Sequence, residues 1–266
     1  MIRYIIKSLI KLFGYDLRNI KKFDSADDPY FVLKLLIEPK KVTTIIDGGA
    51  SIGDISKKLS YMFPKAIVFA VEPYPPFYDT LIKIAAQNNK IRAKKLAFSN
   101  INNSSILQIN RSKGTNSLLK SSKEGKAIYG NLLERSGEVE VKSQKIDDFI
   151  RENSIEQVDL LKLDLQGSEL PALLGAANSL SDGRIKCILC EIMLQPHYES
   201  QPTAGSILYE LMEKYDYSLF NLYNHHHHHG YLCQADALLF HSSIHSSVVK
   251  KAQLAFHSHS VVSVNA

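Results

Sequence analysis

Hydrophobic positions along this chain fall into short β-branched runs separated by longer stretches with a three-to-four-residue period, the pattern of strands alternating with amphipathic helices. The stretch Thr43–Asp54 sets the theme: Ile45 and Ile46 read as an interior strand, Gly48, Gly49 and Gly53 around Ala50 as a tight loop, and Ile52, Ile55, Leu59 and Phe63 as the inward face of a helix. A helix over Pro29–Leu36, capped by Asp27 or Asp28, leads into it. A second strand, Ala66–Val71, ends at Glu72 and Pro73, and a helix from about Pro76 to Asn88 carries Phe77, Leu81 and Ile84 on one side. A third strand runs from Ile91 to Phe98 and ends at Ser99 and Asn100.

The alternation then pauses. Ile106–Asn110 and Val139–Lys142 read as strands flanking a polar segment that contains Gly114, Thr115, Asn116, Ser117, Gly125 and Gly130. Loops of that length in compact domains usually carry function or motion, so this one is expected to be a lid over a substrate, with a plain surface loop as the other reading. Alternation resumes with a short helix at Ile146–Phe149, a strand at Val158–Asp164, a helix through Leu173, Leu174 and Leu180, a strand at Ile185–Ile192 and a helix at Ile207–Lys214. Ser218–Tyr223 and Ala235–His241 are expected to form an antiparallel hairpin whose connection, Asn224–Gly230, holds five consecutive histidines and is expected to be a solvent-facing loop, with a metal site as the other reading. From Ser242 the composition turns to Ser and His, and a poorly packed tail is expected.

The pattern predicts an α/β fold: about seven strands in a mostly parallel sheet, helices on both faces and a C-terminal antiparallel hairpin. It divides the chain into a basic amphipathic extension at 1–27, one domain at 28–241 and a tail at 242–266. With 266 residues, 45% hydrophobic and 22% charged, the chain is long enough for one sizeable core, and the composition argues against wholesale disorder. The net charge of +5 is mild and its Lys and Arg are interspersed with acids, which argues against a nucleic-acid partner. Three cysteines make no disulfide framework, and the default setting is cytoplasmic. Cys187 and Cys190 lie in a strand, where residues three apart face opposite sides, so they are expected to be buried apolar groups rather than a zinc or redox pair. Residues 2–13 are too short to span a bilayer; they read as a packed helix or as a basic helix resting on the inner face of an anionic membrane.

Candidate chemistry gathers where strands end in carboxylates. Asp47 at the tip of the first strand would repel a phosphate, and Ala50 breaks the dinucleotide fingerprint, so the loop suits a ligand without phosphates and with a cationic end, such as S-adenosylmethionine. Glu72, roughly 20 positions beyond the loop, fits the acid that accepts ribose hydroxyls, and Ser99 and Asn100 stand where adenine is met.

Asp47-Gly48-Gly49-Ala50-Ser51-Ile52-Gly53, Val71-Glu72-Pro73, Lys162-Leu163-Asp164-Leu165-Gln166-Gly167-Ser168-Glu169 with Leu173-Leu174-Gly175-Ala176, and Asp236-Ala237-Leu238-Leu239-Phe240 together resemble the signatures of FkbM-type methyltransferases. The third block is the most specific. Gly48, often an apolar residue in the family, and Ser51, often Asn, are small departures. The resemblance implies the class I methyltransferase fold, S-adenosylmethionine as donor and an oxygen of a glycan or small molecule as acceptor. The cofactor-binding candidates are Asp47, Gly48, Gly49, Ala50, Gly53, Glu72, Pro73, Ser99, Asn100 and Asp164. The catalytic candidates are Asp164 first, as base or orienting group, then Glu191 and His197. Lys162 is expected to pair with Asp159 or Glu191, and Glu169 to sit in the first turn of its helix. Two acids here could hold a divalent metal, yet the oxygen ligands are too sparse to assign one. The competing functions are a protein that binds S-adenosylmethionine without transfer and an NAD-dependent oxidoreductase.

Overall fold

The computed structural model of the protein describes residues 27–256. The basic segment at 2–13, with its expected membrane contact, and the last ten positions lie outside them. Its centre is a seven-stranded sheet built from β1 (Thr44–Gly48), β2 (Ile67–Val71), β3 (Ile91–Lys94), β7 (Leu160–Leu163), β8 (Cys187–Met193), β9 (Tyr217–His228) and β10 (Tyr231–His241), in the order β3-β2-β1-β7-β8-β10-β9. The first five run parallel, and β10 is antiparallel to both β8 and β9. This is the expected architecture. Helices α1 (Pro29–Leu36), α2 (Asp54–Met62) and α3 (Pro75–Gln87) precede or connect the early strands. Asp28 caps α1, its carboxylate accepting the Tyr30 N–H at 2.8 Å.

The period of two along each strand divides the core between the two faces of the sheet. Ile46, Leu161, Ile188 and Leu239 belong to one apolar cluster, and their chain neighbours Ile45, Leu160, Leu189 and Leu238 to the other. Cys187 and Cys190 fall in different clusters, both buried, as their spacing required.

Four expectations change. The third strand leaves the main sheet after Lys94: β4 (Ala97–Phe98) pairs instead with β6 (Arg135–Gln144), which pairs with β5 (Asn103–Asn110) in a separate three-stranded sheet. The polar dipeptide Lys94-Lys95 interrupts the apolar run at that bend. Within the lid segment, Lys123–Tyr129 forms a helix, α4, capped by Ser122. The histidines are not a loop, because β9 continues through His228 and only His229 and Gly230, at φ 47° and 82°, make the turn. The expected loose tail is, from Ser242 to Phe256, a helix. We number it α9, after α5 (Ile146–Glu152), α6 (Glu169–Leu174), α7 (Ala177–Ser181) and α8 (Ala204–Tyr209). Ile244, Val248, Ala252 and Phe256, four apart, pack it onto the core beside α1, a stripe that the Ser/His-rich composition masks. None of the described helices is long and apolar enough to cross a membrane.

Candidate active site

The site forms where β1, β2 and β7 end side by side. Gly49 has φ 73°, and a Cβ there would come within 1.9 Å of the Asp164 carbonyl oxygen, so the loops after β1 and β7 touch through glycine. The N–H groups of Gly49 and Ala50 both donate to the Val71 carbonyl, at 3.0 and 2.9 Å. One residue on, the Ser51 N–H donates to Glu72 Oε2 and the Tyr74 N–H to Glu72 Oε1, each at 2.8 Å. Two backbone donors thus fix the plane of the Glu72 carboxyl, while burial pushes its pKa up to about 7.

Asp47 does not reach this cavity. It is fully buried in mid-sheet, accepts the Ser56 hydroxyl at 2.6 Å and pairs with the Lys162 ammonium at 3.3 Å. The register of β1 against β7 sets Asp47 beside Lys162, and a carboxylate buried there needs a cation in place. Lys162 also lies 3.5 Å from Asp164. Burial by itself would lower the Lys162 pKa, but the two aspartates outweigh it and raise it, keeping the ammonium charged. Its partners are therefore Asp47 and Asp164, not Asp159 or Glu191. Asp159 is occupied elsewhere, accepting the N–H groups of Thr43 and Thr44 at 2.7 and 3.0 Å.

A cavity of about 250 Å³ opens between Glu72 and Asp164. Gly49, Ser51 and Pro73 form one side, Phe77, Leu96, Phe98 and Leu107 an apolar wall, and Lys113, Gly114 and Asn116 a third side from the polar segment. Among the anticipated residues, Gly49, Glu72, Pro73 and Asp164 line it. Gly48, Ala50 and Gly53 shape the loop beneath, and Gly53, at φ 97°, packs on Leu81 and Ile84. Ser99 and Asn100 fall outside. Because the chain bends after Lys94, Ala97 and Phe98 reach the cavity instead, and the Ser99 N–H donates to the Gln144 carbonyl.

Gln166 is the centre of the other side, and sequence reasoning gave it no role. Its Nε2 donates to Asp164 Oδ1 and to Glu191 Oε2, both at 3.0 Å, and its Oε1 accepts the Tyr198 hydroxyl at 2.9 Å. Its carbonyl accepts the Ser117 hydroxyl at 2.6 Å, which ties the 112–119 segment to this turn. Gln166 and Gly167 both have positive φ, 54° and 93°, and the Gly167 in the sequence block was the available signal for this turn. Glu169 secures the same turn by accepting the Leu165 N–H at 2.6 Å from the start of α6, and burial pushes its carboxyl up to about 8.

Glu191 sits one layer back, behind Gln166, and also accepts from Gln234 Nε2 at 3.0 Å. Burial, then Asp164, Glu169 and Asp236, raise its pKa well above the carboxylate range. His197 lies in a second cavity, of about 310 Å³, that shares Gly114 and Gln166 with the first. Burial, then His226, push its pKa down to about 4. Among the described residues no group of three or more His, Cys, Asp or Glu is placed to hold a metal. The arrangement offers an acid for hydroxyl donors at Glu72, a flat apolar wall, and at Asp164 a second acid whose side chain is 42% exposed.

The model of the Methyltransferase FkbM domain matches residues 47–219. Methyltransferase sdnD of Sordaria araneosa is 28% identical over 155 residues, 49% of this chain and 59% of that protein. The 2-O-methyltransferase NoeI of Sinorhizobium fredii is 25% identical over 183 residues, 66% of this chain and 73% of its own length. The crystal structure of Methyltransferase FkbM from Methylobacillus flagellatus KT superposes with a TM-score of 0.50 at 18% identity, covering 80% of this chain and 48% of that one.

Proposed function

The chain belongs to the FkbM methyltransferase family, and we propose that it moves a methyl group from S-adenosylmethionine to a hydroxyl oxygen of a sugar or related small molecule. The carrying observation is the cavity between Glu72 and Asp164. The residues present fit the donor. Each Glu72 oxygen accepts one backbone N–H and keeps a lone pair for a ribose hydroxyl. Gly49 keeps the loop thin where a Cβ would collide with Asp164. Phe98, Leu96 and Phe77 give the adenine an apolar face, and Asp164 a negative charge to the cationic end.

When bound, S-adenosylmethionine supplies a methyl group already activated on a sulfonium. The chain's own task is alignment and proton removal. Asp164, held by Gln166 and Lys162, is our candidate to orient the acceptor and take its hydroxyl proton. The lid excludes water while the Ser117 and Tyr198 bonds keep it seated. That the relative NoeI is a 2-O-methyltransferase supports oxygen as the acceptor atom.

Calorimetric titration with S-adenosylmethionine, followed by assay of S-adenosylhomocysteine release with neutral glycosides, tests this. Absence of binding by folded protein would sink the proposal. Binding without release to any acceptor would leave a binding protein, and a nicotinamide absorbance change would instead favour an oxidoreductase.

A further inference from the structure

The second cavity is bounded by the lid, by the 196–198 segment and by the hairpin β9–β10, and the histidine run supplies one of its walls through His226. Its lining includes Tyr129, Gln166, His197, His226 and Gln234, and among the described residues no Lys, Arg, Asp or Glu contributes to it. The polar groups are already ordered. The Tyr129 hydroxyl donates to Gln234 Oε1 and meets His226 Nδ1, each at 3.2 Å, so its single proton leaves His226 Nδ1 as the donor of the second bond. The Tyr129 ring stacks on His226 at 5.4 Å and receives His197 edge-on at 4.8 Å.

His197 is anchored through its backbone. Its N–H donates to Gln201 Oε1 and its carbonyl accepts the Ser122 N–H, both at 3.0 Å. Its ring is different: the residue is 2% exposed, and Nε2 is buried with no hydrogen-bond partner. His197 lines the cavity, and because buried polar atoms are almost always paired, its orphan Nε2 is an unmet hydrogen-bond demand beside that space. The shared residues Gly114 and Gln166 put that space next to the first cavity.

We propose that the second cavity is the acceptor subsite, that it takes an uncharged hydroxyl-bearing ring, a neutral glycoside rather than a phosphorylated or carboxylated sugar, and that His197 Nε2 makes the hydrogen bond that orients it. A cavity walled by amides, two phenols and imidazoles, with no Lys or Arg in its lining, offers hydroxyl groups both donors and acceptors, but offers an anion no fixed countercharge. The proposal rests on the methyltransferase reading.

The test is saturation-transfer NMR and calorimetry on the full chain with a panel of neutral methyl hexopyranosides, a methyl glucuronide and a hexose phosphate. Two variants accompany the wild type. His197→Ala removes the orphan nitrogen, and Leu132→Trp plugs the mouth from a residue that is 51% exposed and outside the core. At least one neutral glycoside should bind, with a dissociation constant that rises roughly tenfold or more in either variant. S-adenosylmethionine titrated into the same samples should bind wild type and both variants within about twofold of one another. No neutral glycoside bound, a charged sugar bound more tightly, or glycoside binding unaffected in both variants would each overturn the proposal. Failure of the wild type to bind S-adenosylmethionine would instead overturn the methyltransferase reading, so the two failures are distinguishable.

Discussion

Glu72 and Asp47 are both acids at strand ends, and their different fates show how much depends on a single neighbour. Glu72 is held by two backbone N–H groups at a cavity edge, whereas Asp47 is matched to Lys162 inside the sheet. Glu72→Gln should therefore weaken S-adenosylmethionine binding about tenfold or more by calorimetry, because an amide nitrogen replaces one accepting oxygen. Its pKa of about 7 adds a pH signature. Ribose hydroxyls bind the carboxylate form, so binding below pH 7 must release a proton, and wild-type affinity should fall as pH drops through 7 and level off above it. Glu72→Gln should show no such dependence. Lys162→Met leaves Asp47 buried without its cation, and denaturant unfolding should report a loss of about 3–5 kcal/mol.

At the scale of elements, β1, β2, β7 and β8 were legible because each is a short apolar run bounded by turn residues. The bend after Lys94, the strand through the histidines and α9 were not, since each depends on what the segment meets in space. The docking of α9 is checkable. Val248 is buried at 4% exposure, and Val248→Ala should cost about 1–2 kcal/mol in urea unfolding, an effect that a loose tail would not show. The 112–119 segment is likewise fastened by identifiable bonds. The Tyr198 hydroxyl shares its proton between the Thr115 carbonyl, 3.0 Å, and Gln166 Oε1, 2.9 Å. Tyr198→Phe should speed amide exchange across 112–119 and reduce stability by about 1 kcal/mol, leaving exchange in β1 and β2 little altered.

For the whole molecule, the clustering of buried acids under the site sets a pH dependence. Glu169 carries a pKa of about 8 in the folded protein against an ordinary 4.5, and Glu72 one of about 7. Between those limits the native state holds protons that the unfolded chain has released, so these groups make stability fall as pH rises from about 4.5 toward 8. Glu169→Gln removes one contribution: relative to wild type, the variant should gain stability between about pH 5 and pH 9 in denaturant melts, and an unchanged difference would refute the assignment. The sequence alone determined the alternation of elements, the parallel sheet with its closing hairpin, the glycine loop and the acids at strand ends, because periodicity and turn chemistry act over a few neighbouring residues. Only the tertiary structure decided that Asp47 faces Lys162 while Glu72 faces the cavity, that Gln166 joins Asp164 to Glu191, and that a histidine strand walls a second cavity. Those pairings are fixed by strand order and register between distant segments, which local patterning does not encode.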